Sequence, residues 1–420
     1  MSAPVHQAVN QPATQVSRAL QPFGTTIFTT MTRLAVEHGA VNLAQGFPDF
    51  DGPMEIREAA ADALRGAEGR HNQYAPMPGL PALRQTLAAR RERDTGLSTD
   101  PDTDVVITAG CTEAIAAAIM GLCNPGDALV MFEPFYDSYR ACAAMAGVQA
   151  RAVALRPALS ARPDGGETPA FTFDPDELRA AIAPANAPRA RAILLNTPHN
   201  PTGKVFSPEE LALVADLCIR HDLIAVTDEV YERLVFGHRR HVSLASLPGM
   251  RDRTVTLSSL GKTFSLTGWK IGWAIASPPL AAAVRSAHQF LTFAVATPLQ
   301  WGAVEALRRE AECVPPLVAT LDQGRGLLAR ALADVGLLVH QPEGAYFILA
   351  DHSAVSTRLG LDGSDVAFCD HLIKRVGVAA IPPSVFYERP QLGRSLVRFA
   401  FCKRHETLGE AISRLAQLRA

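Results

Sequence analysis

The chain has 420 residues, 48% of them hydrophobic, a formal net charge of −2 and seven scattered cysteines. This length exceeds what one simple core organises, so two domains are expected, and no excess of basic charge points to nucleic acid or to an anionic membrane. An odd number of cysteines with no CxxC spacing fits reduced thiols and argues against a disulfide frame or a zinc site.

From the N-terminus, Met1 to Gln21 is rich in Gln, Ala, Ser and Pro, without a basic start followed by an apolar block. A secretory signal is therefore not expected. The longest clean apolar stretch, Ala114 to Cys123, is too short to span a bilayer, which makes the cytoplasm the expected location. Arg84, Arg90, Arg91 and Arg93 read as a solvated helix face. Short apolar, often β-branched runs at Asp104–Thr108, Ala128–Phe132, Ala190–Leu195 and Leu223–Thr227 read as buried strands. Helical patterns lie between them at Glu113–Leu122 and Pro208–His221. Ser207 is placed as N-cap of the second, with Glu210 completing a capping box. The Pro/Gly-rich stretch Arg156–Pro169 reads as a surface loop. Alternation of strand and helix from about Asp104 to about Ala276 predicts an α/β domain with a mainly parallel sheet. The pattern changes near Pro298. A long helical stretch over Leu299–Val335 precedes strands at Leu337–His340 and Ala345–Leu349, a helix over Asp365–Arg375 and a strand at Ser395–Phe401. This predicts a smaller α+β domain, joined by the segment before Pro53.

Four segments carry chemistry. Ile107-Thr-Ala-Gly-Cys-Thr-Glu113 leads from a strand through a tight turn into a helix, whose N-terminus offers free N–H groups to a phosphate. Asn196-Thr-Pro-His-Asn-Pro-Thr-Gly203 follows a strand directly. Asp228 ends an apolar strand, where open α/β sheets place ligand groups, with Tyr231 one helical turn beyond it. Gly261-Lys262-Thr263 invites a nucleotide-binding reading, but position 256 is threonine where that motif requires glycine. The remaining reading is a lysine flanked by Ser259 and Lys270, which suits a phosphate monoester beside an amine that forms a Schiff base.

Together these segments resemble the fold-type-I, pyridoxal-5′-phosphate (PLP) dependent aminotransferases of class I/II, over nearly the whole chain. Asn42–Phe50, His71–Tyr74, Glu133–Asp137, Gly261–Phe264 with Gly268–Gly272, and Glu343–Phe347 bring it nearest the methionine and kynurenine aminotransferases (glutamine transaminase K). The resemblance implies an N-terminal arm and part of the small domain over 1–52, a large PLP-binding domain over 53–298 and a small C-terminal domain over 299–420. It implies that Lys262 holds the cofactor as a Schiff base and moves protons at the substrate Cα. Asp228 pairs with the pyridine nitrogen, and Tyr231 and Asn200 with the phenolic oxygen. Ser259, Lys270 and the N–H groups of Cys111 and Thr112 hold the phosphate, and Tyr136 stacks on the ring. Tyr74 reaches the phosphate from the neighbouring subunit of a homodimer with shared active sites. Arg398 grips the substrate carboxylate, Gly46 closes over it, Asn200 contacts the substrate, and Phe47, Phe293 and Tyr346 line the pocket. No metal is implied. His199 is expected to be structural, Trp269 and Trp273 to pack, and the peptide bonds before Pro134 and Pro201 to be candidates for the cis form.

The implied reaction moves the amino group of a neutral amino acid, methionine first and aromatic donors, kynurenine or glutamine next, to a 2-oxo acid. The segment His288–Pro298 contains no arginine or lysine to grip a distal carboxylate and offers Phe290 and Phe293 instead, although Arg285 lies just before it. Three alternatives share these residues: a cysteine-conjugate C–S β-lyase, an N-succinyldiaminopimelate aminotransferase, and a non-enzymatic sensor domain.

Overall fold

The computed structural model describes residues 16–66, 72–161 and 167–419. His71 and most of the first 21 residues thus lie outside the described residues. Seven strands form the central sheet, in the spatial order Val105–Thr108, Gly272–Ile275, Thr254–Ser259, Ile224–Asp228, Ala192–Asn196, Ala128–Glu133 and Gln149–Ala154. The last five run parallel to one another, whereas Gly272–Ile275 is antiparallel to both its neighbours. Most of these strand residues are buried, which is why they read as continuous apolar runs. Helices Gly110–Leu122 and Pro278–Leu291 pack together on one face. Helices Pro81–Thr95 and Thr297–Arg308 cover part of the other, over Ile107, Trp273 and Ile275. Helix Pro208–His221 begins at Ser207 with the full capping box to Glu210.

A second unit contains the antiparallel sheet Leu338–His340, Phe347–Asp351, Leu396–Ala400, backed by helices Glu310–Asp334 and His405–Leu415. Val41–Asn42 pairs in parallel with Val378–Ala379, tying the N-terminal segment to this unit. Its core reaches Val230, Tyr231 and Leu234 of the central-sheet unit, so the two units meet beside Tyr231.

Four expectations are corrected. Arg156–Pro169 is not a loop: strands Arg156–Ala161 and Glu167–Thr172 form an antiparallel hairpin, with residues 162–166 outside the described residues. The stretch 299–335 is two helices separated at Arg309. The helix from Asp365 ends at His371 and passes into a wider turn over Leu372–Val376. The arginines of helix Pro81–Thr95 are not a solvated face, since Arg84, Arg90 and Arg91 are buried or nearly so and only Arg93 is exposed. Charge alone concealed this, because the partners are remote in sequence: Arg90 pairs with Glu232 and Glu310, and Arg84 with Asp102.

Candidate active site

Asp228 closes its strand at the carboxyl edge of the parallel strands, where β-to-helix connections leave a crevice. The neighbouring strand ends in register at Asn196, whose side-chain amide donates to the Asp228 carbonyl at 2.8 Å and accepts from the Asn200 N–H at 2.7 Å. Asn196 thereby fixes the turn that presents Asn200. The bonds before Pro134, Pro198 and Pro201 are cis.

The Asp228 carboxylate is 4% exposed. Oδ2 accepts the Tyr139 hydroxyl at 2.6 Å, and Oδ1 accepts the Val230 N–H at 3.2 Å and the Cys111 thiol at 3.6 Å. Burial raises its pKa while these donors oppose the shift, a balance that suits a carboxylate awaiting a cationic partner. Tyr139 was missed by the sequence reading. The signal was its place three residues after Tyr136, with which its ring makes an edge contact. Burial and the Asp228 charge push the Cys111 thiol well up, so Cys111 is a protonated donor rather than a thiolate.

Lys262 follows the strand Thr254–Ser259 on a single helical turn. Its Nζ lies 3.4 Å from the Gly46 carbonyl, 5.9 Å from the Tyr231 ring centre and 5.7 Å from that of Tyr346. Burial lowers its pKa, favouring the neutral amine that nucleophilic and basic chemistry require.

In the same cavity, the N-terminus of helix Gly110–Leu122 stands against Lys270. Lys270 adopts φ 54° and Gly110 φ +77°. A Cβ on Gly110 would stand 3.2 Å from the Lys270 ammonium, and one on Gly272 only 2.5 Å from the Gly110 carbonyl carbon. Both glycines therefore permit the close approach of an ammonium to the positive end of a helix, an unfavourable pairing until an anion joins it. Cys111, Thr112, Tyr136, Asn200, Tyr231 and Ser259 line this cavity with Lys262, Asp228 and Lys270. Burial raises the Tyr136 hydroxyl to about 12.

A second chamber shares Tyr136, Asn200, Tyr231 and Lys262 with the first and adds Phe28, Gly46, Phe47 and Arg398. Arg398 is 1% exposed on the strand Leu396–Ala400. One Nη donates to the Ala44 carbonyl at 2.7 Å, while Nε has no hydrogen-bond partner among the described residues. The rings of Phe347, Phe386 and Phe28 lie 4.4, 5.3 and 5.2 Å from its guanidinium carbon. Burial lowers its pKa to about 10, so it stays charged at neutral pH, with Asp137 acting on it only at longer range and no ion pair among the described residues.

Other residues fall elsewhere. The Tyr346 hydroxyl donates to the Gly46 carbonyl at 2.7 Å, so it pins that loop rather than ending free in the chamber. Lys403, not singled out from sequence, does the same for the Phe47 carbonyl at 2.7 Å. Tyr74 and Phe293 are 83% and 49% exposed, touch each other edge to face at 5.5 Å, and line neither chamber. Arg285 bonds the carbonyls of Asp102 and Thr103. His199 is buried against the Thr202 hydroxyl, its pKa depressed to about 3 by burial. Trp273 is buried. Among the described residues no His/Cys/Asp/Glu group has the makings of a metal site, and no helix is long and apolar enough to cross a membrane.

The sequence profile of the family described as aminotransferase class I and II matches residues 39–415. The chain belongs to this family. As an aminotransferase of this class it uses PLP. The cavity suits that cofactor in three respects: a buried carboxylate for the ring nitrogen, a neutral-leaning lysine, and a helix N-terminus facing an ammonium for the phosphate.

Relatives of this aminotransferase include a probable N-succinyldiaminopimelate aminotransferase of Mycobacterium tuberculosis, 46% identical over 412 residues, covering 96% of this chain and 98% of that one. The methionine aminotransferase of Escherichia coli is 42% identical over 399 residues, covering 95% and 97%. Human kynurenine–oxoglutarate transaminase 1 is 37% identical, covering 90% and 92%. The solved structure of N-succinyldiaminopimelate aminotransferase from Mycobacterium tuberculosis superposes with a TM-score of 0.87 at 45% identity, over 96% of this chain and all of that one.

Proposed function

We propose that the enzyme transfers the α-amino group of N-succinyl-2,6-diaminopimelate to a 2-oxo acid, or runs this exchange in reverse. The observation behind amino transfer from an α-amino acid is Arg398, a buried guanidinium lining the chamber that also holds Lys262, its Nε without a partner among the described residues. The support for this donor is the 46% identity to the N-succinyldiaminopimelate enzyme. Methionine, to which the sequence reading gave priority, is the second reading. It is favoured by the rings of Phe28, Phe47 and Phe347 on the chamber and by the 42% relative. Both donors place an unbranched methylene chain next to Cα, so the inner chamber serves either.

Bound PLP supplies the electron sink that acidifies the substrate Cα–H and the carbon that carries the amino group. The chain's own groups do the rest. Asp228, held by Tyr139, Cys111 and Val230, would keep a proton at the cofactor's ring nitrogen. Tyr231 and Asn200 would hold its phenolic oxygen, and Tyr136 would pack against the ring. Ser259, Lys270 and the N–H groups of Cys111 and Thr112 would hold its phosphate. Arg398 fixes the substrate carboxylate with Gly46 and Asn200 beside it, and Lys262 takes and returns the Cα proton. Phe47, Phe293 and Tyr346 shape the donor pocket, with Phe293 and Tyr74 directed to the neighbouring site of a homodimer. The exposed group Tyr74, Phe290 and Phe293 supports that assembly. This reading keeps the division into an arm (1–52), a large cofactor domain (53–298) and a small domain (299–420), and a cytoplasmic enzyme.

The test compares kcat/KM for N-succinyl-LL-2,6-diaminopimelate, methionine, phenylalanine, kynurenine and aspartate with 2-oxoglutarate as acceptor. The succinylated donor should lead. Methionine in first place would return the second reading, and aspartate in first place would overturn both. Pyruvate and ammonia released from a cysteine conjugate without acceptor would mark the lyase instead.

A further inference from the structure

A separate cavity lies on the face of the central sheet that carries helix Pro81–Thr95, walled by that helix, the 229–243 segment and the strands Thr254–Ser259 and Gly272–Ile275. Three buried polar atoms on residues of its wall lack hydrogen-bond partners among the described residues: Arg91 Nη1, His241 Nδ1 and Thr256 Oγ1. Arg91 is 9% exposed and has no ion pair among the described residues. The other charges are largely committed. Arg90 is bound to Glu232, Arg233 to Asp94 and Glu310, and Glu229 to His241 at 2.7 Å. Arg240, exposed on the same wall, has no ion pair among the described residues. The uncommitted charge on this wall is therefore positive, and Arg91 and Thr256 each bring a buried polar atom that lacks a partner among the described residues.

We propose that this cavity binds a small oxyanion, a carboxylate or a phosphate, on Arg91 and Thr256. His241 stands on the same wall, its Nε2 2.7 Å from a Glu229 carboxylate oxygen. Burial lowers the Arg91 pKa while Glu229 and Asp104 act on it only at longer range, so an anion in contact meets an incompletely compensated charge. Glu229 directly follows Asp228, which places the site one residue behind the carboxylate assigned to the cofactor ring. The inference does not depend on the donor amino acid.

The experiment uses PLP-saturated enzyme carrying Arg398→Ala, so that neither the Lys270 cup nor the substrate site competes for the probe. Its Tm is followed against millimolar sodium phosphate or sodium succinate, with sodium chloride at matched ionic strength as control. A saturable rise with phosphate or succinate, absent with chloride, is expected. Whichever probe acts at the lower concentration identifies the class. Adding Arg91→Met should abolish the rise. Thr256→Val, nearly isosteric, should weaken apparent affinity about tenfold or more, the loss of one hydrogen bond to a charged ligand, and serves if Arg91→Met does not fold. No saturable rise with either probe, or a rise untouched by Arg91→Met or by Thr256→Val, overturns the proposal.

Discussion

Truncating Arg398 to alanine should cripple substrate capture while leaving the fold intact. The backbone of Arg398 bonds Ile381 in both directions and pairs with Leu349, and none of this depends on the side chain. The side chain is a buried cation with no ion pair among the described residues, so its removal relieves a desolvation cost as well as losing ring contacts with Phe347, Phe386 and Phe28. Its partner carboxylate arrives only with substrate. Losing one side of a buried, hydrogen-bonded charge pair costs about 2–5 kcal/mol. At about 1.4 kcal/mol per decade, kcat/KM should fall roughly 30- to 5,000-fold. The assay is initial-rate transamination with the best donor, with Tm measured in parallel. Arg398→Lys should recover only part of the loss, because an ammonium lacks the planar fork. Unchanged affinity for amino acids in Arg398→Ala, or a loss that tracks unfolding, refutes the reasoning.

Tyr139→Phe removes the 2.6 Å hydrogen bond to Asp228. That bond holds the Asp228 pKa down, so the acid limb of the pH–rate profile should move to higher pH and kcat should fall about tenfold or more, with KM little changed. An unmoved limb would contradict the role. His199, held neutral with a pKa of about 3 against 6.5 when free, lets the unfolded state gain a proton the folded state does not. Stability should therefore fall as pH drops from about 6.5 toward 3, and His199→Gln should flatten that slope in urea melts. Mixed dimers of a Lys262 variant and a Tyr74 variant should regain activity through one site in which both groups are intact, and their failure to do so would count against shared sites.

Much of this was legible because the chemistry is local in sequence. Asp228 ends a strand, Lys262 sits between Ser259 and Lys270, and Gly110 opens a helix, so each motif carried its own context. What stayed hidden depends on distance along the chain. The burial of Arg90 is set by Glu232 and Glu310, more than 140 residues away, and no pattern within helix Pro81–Thr95 announces it. Tyr139 was not singled out, because its partner Asp228 lies 89 residues on and the 2.6 Å contact exists only in the fold. The hairpin Arg156–Thr172 was missed because its Pro and Gly residues read as a loop, while cross-strand pairing decides its structure. That the Tyr346 hydroxyl is committed to the Gly46 carbonyl was not legible, because the two lie 300 residues apart.

The most direct test of the account is to fix the cofactor in place. Borohydride reduction of the PLP-loaded enzyme, followed by peptide mass spectrometry, should place the pyridoxyl group on Lys262, and Lys262→Ala should accept no label and form no 2-oxo acid from any amino donor. A label on another lysine, or a Lys262→Ala enzyme that still transaminates at the wild-type rate, would contradict it.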